Sequence, residues 1–219
     1  VFKQMSDVYA DGERVYAQAG ALLSKTAAVA CEASLTGMEF ASGIPGTLGG
    51  ALRMNAGAYG GEMKQIVESA EVLTSEGEVL NLTNEELGMG YRTSVIAKND
   101  YVALSAVLKL EKGDRQEIRA YMEDLKERRV TKQPLEFGSA GSTFKRPEGY
   151  FAGKLIQDSG MQGYRVGDAQ VSEKHCGFVI NRGNATAAEV MQLMKDVADR
   201  VEEKFGVRLE PEVRRIGEF

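Results

Sequence analysis

The chain has 219 residues, 43% of them hydrophobic and 27% charged, with a formal net charge of −5. That length suits one large domain or two small ones around a sizeable core, and the acidic balance argues against a nucleic-acid partner. No apolar run approaches the roughly 20 residues that cross a bilayer. The opening Val1-Phe2-Lys3-Gln4 is not a leader peptide, and a start without initiator Met or helix cap reads as the interior of something longer. Cys31 and Cys176 lack C-x-x-C spacing and read as free buried thiols of a reducing compartment, with a single disulfide as the alternative. His175 is the only histidine and has no Cys or carboxylate cluster beside it, so no metal site is expected.

In chain order, RVYAQ at 14–18 reads as a strand after the Asp11-Gly12 turn. Leu22, Leu23, Thr26, Ala27 and Ala30 recur at helical spacing and predict a helix over 20–32. Residues 43–61, GIPGTLGGALRMNAGAYGG, carry seven glycines in nineteen positions. Glycine lets another group approach the backbone closely, so exposed N–H groups there can cradle a phosphate or a ring edge. The competing reading is a tightly packed turn that needs small residues. The spacing matches neither G-x-G-x-x-G nor G-x-x-x-x-G-K-[ST], so any phosphate cradle is not of a common nucleotide type. Strands are expected at 67–73 and 77–82 around Ser75-Glu76-Gly77, and Thr83 with Glu86 reads as a capping box for a short helix. Residues 101–110 read as a buried strand.

Glu111-Lys112-Gly113-Asp114 is a polar break and the expected domain limit. Ile118, Tyr121, Met122 and Leu125 then form one helix face. Its basic end, Lys126-Glu127-Arg128-Arg129, reads as solvated and matched to the helix dipole. A strand follows at 177–181. A helix is expected over 187–205, boxed by Thr186 and Glu189, with Val190, Met194, Val197, Val201 and Phe205 buried and Gly206 as its stop.

Three segments join reactive groups to unusual neighbours. Tyr91-Arg92-Thr93-Ser94 puts an arginine beside an aromatic ring after Gly88-Met89-Gly90. Ala140-Gly141-Ser142-Thr143-Phe144-Lys145 puts a serine after two small residues, without a G-x-S-x-G elbow. Glu210-Pro211-Glu212-Val213-Arg214-Arg215 gathers two carboxylates and two cations around a proline. Taken singly, Arg92 reads as a surface ion pair, Ser142 as a turn residue and Glu212 as an exposed strand charge.

Together, GIPGTLGGALRMNAGAYGGE, YRTS, AGSTFKRP, AGKLIQDSGMQGYRVGDAQVSEKHCGFVIN and LEPEVRRIGE stand in an order that resembles the bacterial UDP-N-acetylenolpyruvoylglucosamine reductase family, from about residue 12 to the end. No insert interrupts 151–181, which resembles the type without an extra tyrosine-bearing loop. The resemblance implies an α+β fold: the second lobe of a two-lobe FAD-binding domain of the PCMH type, then a smaller α+β substrate-binding domain. The implied limits are 1–113 for the flavin domain, 114–212 for the substrate domain and 213–219 for a returning segment. Family members begin with a further lobe bearing a second Gly-rich FAD-binding segment, and no match to it is found here. On that basis the chain is expected to hold FAD weakly or not at all.

The resemblance further implies NADPH-dependent reduction of UDP-N-acetylglucosamine enolpyruvate to UDP-N-acetylmuramate through FAD, in peptidoglycan precursor synthesis. FAD would rest on Gly43, Ile44, Pro45, Gly46, Thr47, Gly49, Gly50, Asn55, Ala56 and Gly57. Arg92 and Glu212 match the pair that stabilises the developing enolate, and Ser142 matches the proton donor to C2. Tyr91, Lys145, Lys154, Arg165 and Lys174 are the substrate-binding set, with Lys145 also placed to stabilise the Ser142 alkoxide. Arg92, Ser142 and Glu212 are expected to converge. The implied protein is a cytoplasmic monomer acting on small molecules, without nucleic-acid or membrane partners. The alternatives are another FAD-linked oxidoreductase of the same fold, or a UDP-sugar-binding fragment without redox activity.

Overall fold

The computed structural model describes residues 4–217. The chain divides into two units, one reaching to Arg129 and one beginning at Val130. The first contains β1 (Val8–Asp11), β2 (Arg14–Gln18), α1 (Leu23–Glu32), β3 (Leu35–Thr36), α2 (Leu48–Met54), β4 (Gly57–Ala58), β5 (Gly61–Glu62), β6 (Val67–Leu73), β7 (Val79–Thr83), α3 (Val95–Lys98), β8 (Val102–Lys109), β9 (Glu111–Lys112) and most of α4 (Arg115–Lys132). Alternation along β2 buries Val15 and Ala17 and turns Tyr16 the other way. The same logic, strand by strand, builds an antiparallel sheet in the order β1-β2-β8-β6-β7. Its inner face shares one core with α1 and α2, in which Val15, Leu23, Leu48, Leu52, Met63, Val72 and Leu108 are buried. Each such side chain contributes about 1.5–3 kcal/mol.

β2 covers the expected residues, β6 spans the expected 67–73, and β8 falls within 101–110 but buries only some of its positions rather than the whole strand. Three details differ. Leu22 is 54% exposed and precedes α1, because the chain there pairs with Thr47 instead of continuing the helix. Thr83 and Glu86 form both hydrogen bonds of a capping box, yet residues 84–88 are turns and no helix follows. The glycine-rich segment contains a seven-residue helix, α2, which glycine's weak helix propensity concealed. The polar break forms β9 and the start of α4, where Asp114 Oδ1 accepts from the N–H groups of Gln116 and Glu117. The two units divide later, near the C-terminal end of α4. Only Ile118 and Leu125 of α4 are buried, while Tyr121 is exposed.

The second unit contains β10 (Gly138–Ser142), α5 (Ala152–Asp158), β11 (Arg165–Val166), β12 (Ala169–Val171), β13 (Phe178–Asn181) and α6 (Ala187–Phe205). Its antiparallel sheet runs β10-β13-β12-β11. α6 has the expected bounds, the capping box of Thr186 and Glu189, and Gly206 as a left-handed C-cap at φ 66°. Leu193, Met194, Val197 and Val201 share a core with Leu155, Ile156, Ala169 and Val171, whereas Phe205 lies at the edge and is exposed.

Candidate functional site

The seven glycines of residues 43–61 do two different jobs. Four are crowded by protein. A Cβ on Gly49 would meet the Ala19 carbonyl oxygen at 3.2 Å, and one on Gly61 would lie 2.5–2.8 Å from Phe40. Gly57 would meet the Gly61 carbonyl at 2.8 Å, and Gly43 the Arg129 Nε at 3.2 Å. The other three, Gly46, Gly50 and Gly60, have open space where a Cβ would stand, with only Thr47 Oγ1 at 4.0 Å from Gly50. Close packing therefore explains more than half of the glycines, and a cradle is left for the rest. Several N–H groups of the segment are already engaged: Leu48 donates to Ala21 O at 2.9 Å, Gly49 to Ala19 O at 2.8 Å and Ala56 to Ala51 O at 2.9 Å.

Arg129 lies against this segment. Its Nη1 donates to the Gly43 carbonyl, and its guanidinium carbon sits 5.9 Å from the centre of the Tyr59 ring. The Nε is buried and meets no acceptor among the described residues. An unsatisfied buried donor is costly, and a cationic group suits an anionic oxygen. Arg129 against Gly43, in a segment whose Gly46, Gly50 and Gly60 stay open, thus fits a phosphate-bearing cofactor. Periodicity hid Arg129, because a basic helix end is ordinarily solvated and its contact with Gly43 is long-range.

Asn55 is the left-handed C-cap of α2, at φ 42°, and is only 2% exposed. Its amide is occupied by the protein itself: Nδ2 donates to Glu62 Oε2 at 3.0 Å and to Gly90 O at 3.1 Å, and Oδ1 accepts from the Lys64 N–H at 2.9 Å. Gly90 and Thr93 exchange two backbone hydrogen bonds, of 3.0 and 3.2 Å, around Tyr91 and Arg92. Arg92 sits there at φ 54°, a conformation that non-glycine residues adopt at a cost. Its guanidinium carbon is 5.4 Å from the Tyr91 ring centre, and Tyr91 is exposed.

In the second unit, Ser142 ends β10 opposite Phe178, beyond a register shift that begins after Ser139 and contains Gly141 at φ 84°. Its side chain is exposed and makes no hydrogen bond to any described residue. Thr143 is buried beside it, and its Oγ1 accepts from the Val179 N–H at 2.9 Å. Beyond Ser142 the chain pairs with the C-terminal segment. The Glu212 N–H donates to Thr143 O at 2.9 Å, the Lys145 N–H to Glu210 O at 2.8 Å, and Phe144 bridges Pro211. Ser142 and Glu212, remote in sequence, are thereby placed on adjacent segments of the second unit.

The expected substrate cations all have partners. Lys145 pairs with Glu210 at 3.0 Å, Lys154 with Asp158 at 2.7 Å and Arg165 with Asp168 at 3.2 Å. Lys174 donates to Val130 O at 2.9 Å. Lys145 therefore faces Glu210 in this structure rather than the Ser142 hydroxyl. The His175 Nδ1 accepts from the Gly177 N–H at 3.1 Å, and its ring meets Phe178 edge-on at 5.0 Å. Burial holds His175 below its ordinary pKa, with Lys132 acting in the same direction, and burial raises the Cys176 thiol. Both cysteines are free and buried. No group of three or more metal-ligating side chains occurs among the described residues. No helix among them is long and apolar enough to cross a membrane. A depression of about 430 Å³ on the outer face of the first unit's sheet, beside the stacked rings of Tyr9 and Tyr16, is lined by none of the expected site residues.

Comparison with known proteins agrees with this division. Residues 2–83 match a family model described as FAD binding domain. Residues 133–216 match the C-terminal domain of UDP-N-acetylenolpyruvoylglucosamine reductase. A protein of that name from Alkaliphilus oremlandii is 60% identical over 218 residues, covering 100% of this chain and 72% of its own length. One from Agathobacter rectalis is also 60% identical, over 94% of this chain and 65% of its own length. The chain thus spans about two thirds of the length of these relatives. The crystal structure of the Thermus caldophilus enzyme aligns with a TM-score of 0.79 at 38% identity, over 91% of this chain and 71% of that one. With its FAD-binding unit and its C-terminal unit both matched, the chain belongs to the UDP-N-acetylenolpyruvoylglucosamine reductase family.

Proposed function

We propose that this protein reduces UDP-N-acetylglucosamine enolpyruvate to UDP-N-acetylmuramate with NADPH, through FAD. The observation that carries the reading is the ladder that sets Ser142 beside the Glu212 segment, because a proton donor and a carboxyl group are both required at one enol ether. FAD, when bound, would supply the two-electron hydride chemistry between NADPH and the substrate. Gly46 and Gly50 present open backbone to the cofactor alongside Ile44, Pro45 and Thr47, whereas Gly43, Gly49, Ala56 and Gly57 serve the close packing that keeps the segment's shape, and Arg129 lies against the segment as a cation suited to a phosphate.

Arg92 and Glu212 stabilise charge developing on the carboxyl side of the substrate, the preorganised electrostatics that usually dominates rate enhancement. Ser142 delivers the proton to C2, and its exposed side chain suits that task. Tyr91, Lys145, Lys154, Arg165 and Lys174 hold the nucleotide sugar. The present partners of these cations are exposed ion pairs, worth about 0–1 kcal/mol each, which a diphosphate readily displaces. In this reading the protein is a cytoplasmic monomer acting on small molecules, and its net charge of −5 disfavours a nucleic-acid partner.

Ser142→Ala in the FAD-loaded protein tests the reading. Flavin reduction by NADPH should be nearly unchanged, since that half-reaction needs no proton at C2. Reoxidation by the enolpyruvyl substrate should slow by about 10²–10⁴-fold, the usual contribution of general acid catalysis. Ser142→Cys should recover part of the loss. Equal slowing of both half-reactions would reassign Ser142 to packing or cofactor binding.

A further inference from the structure

The end of α2 holds both legs of the turn that carries Arg92. On one leg, the Asn55 amide donates to Gly90 O at 3.1 Å. On the other, the Ser94 hydroxyl, wholly buried, donates to Arg53 O at 2.9 Å. Between them Arg92 stands at φ 54° in a two-residue turn closed by Gly90 and Thr93. A left-handed non-glycine residue persists only when its surroundings over-determine it. Gly90 O is the common point, accepting from both the Thr93 N–H and the Asn55 amide.

Asn55 itself is fixed from the opposite side. Its second amide hydrogen goes to the Glu62 carboxylate at 3.0 Å, and Oδ1 takes the Lys64 N–H at 2.9 Å. Glu62 is in turn held by a reciprocal box with Gln65, whose side chain accepts from the Glu62 N–H at 2.9 Å. Every N–H of the amide is used inside the protein, which leaves none for a cofactor. Asparagine suits the position twice over, because it tolerates the left-handed C-cap and carries two donors and an acceptor on one short side chain.

We infer that Asn55 is a positioning residue that sets the Arg92 turn from the end of the glycine-rich helix, rather than a ligand of the cofactor. This inference rests on the proposed role of Arg92, and it ties the backbone that cradles the cofactor to the cation that meets the substrate. A rigid buried link of this kind holds the guanidinium in register once the cradle is filled.

The test compares Asn55→Gly, Arg92→Ala and the double variant in the FAD-loaded protein. Glycine keeps the left-handed cap and removes only the amide. Asn55→Gly should leave FAD content and NADPH-driven flavin reduction within about twofold of wild type. Substrate-driven reoxidation should slow by about 10–100-fold, the scale on which small misplacements act. The double variant should be no slower than Arg92→Ala alone, because a residue acting through Arg92 has nothing left to position. Independently of activity, amide hydrogen exchange at Gly90 and Thr93 should accelerate in Asn55→Gly while that of β6 and β8 stays protected. Multiplicative losses in the double variant, loss of FAD, or unchanged exchange at Gly90 and Thr93 would each overturn the inference. If Arg92→Ala leaves reoxidation intact, the proposed function fails, and the exchange measurement still decides the link between Asn55 and Gly90.

Discussion

The Arg92 turn and the Ser142 strand carry the two ends of the proposed chemistry by opposite means. Arg92 stands in a left-handed turn held by buried side chains, with Asn55 and Ser94 on either leg and a crowded glycine segment beneath them. Ser142 stands at an exposed strand end held by backbone hydrogen bonds, and the groups around it, Lys145 and Glu210, are solvated. A ladder of backbone bonds does not depend on side-chain identity, whereas a buried polar network does. Substitutions in the first region should therefore disturb stability and geometry together. Those in the second should change chemistry while leaving the fold intact, so Ser142→Ala should melt with the wild type.

The largest stability effect should come from Gly61→Ala, whose Cβ would stand 2.5–2.8 Å from three atoms of the Phe40 side chain. Overpacking of this kind costs about 1–3 kcal/mol, and each kcal/mol lowers the melting temperature by about 2–4 °C at this size. Gly50→Ala sharpens the contrast, because its Cβ enters open space within α2. It should gain up to about 0.5–1 kcal/mol from helix propensity and yet bind added FAD more weakly than the wild type in a titration. An equal melting temperature for Gly61→Ala and wild type would erase the division between crowded and open glycines.

A smaller effect should appear on acidification. Burial sets the folded-state pKa of His175 below its unfolded value, so the fold favours the neutral ring. Stability from this source is complete above about pH 6.5 and drains as the pH falls through that value, since the unfolded chain then binds more protons. Protonation also removes the Nδ1 lone pair that accepts from Gly177. The wild-type melting temperature should fall more steeply than that of His175→Gln as the pH drops below about 6.5. Parallel curves would remove His175 as the cause.

The smallest effect should belong to Lys145→Ala. Its pair with Glu210 is exposed at both ends, so the loss should stay under about 1 kcal/mol. Any weakening of substrate binding should appear in KM while the melting temperature holds. A fall of several degrees would show that the second region depends on its side chains as the first does.

The sequence by itself determined what short-range physics determines. Alternation over residues 14–18 set β2, and the box of Thr186 and Glu189 with Gly206 set α6, because each rests on neighbours within a turn or a pleat. The ordered motifs were enough to indicate the family and to single out Arg92, Ser142 and Glu212. Local signals failed where a distant partner decided the outcome. Thr83 and Glu86 made their capping bonds without a helix following, and Leu22 left its apolar stripe because Thr47 paired with it. Only the tertiary structure divided the glycines into those pressed by Ala19, Phe40 and Arg129 and those left open, since the pressing atoms come from elsewhere in the chain. It alone turned Asn55 inward to Glu62, Lys64 and Gly90, and left Arg129 Nε buried without an acceptor among the described residues. The physical reason is shared: a buried donor or acceptor takes its meaning from the group it meets, and that group is chosen by the fold.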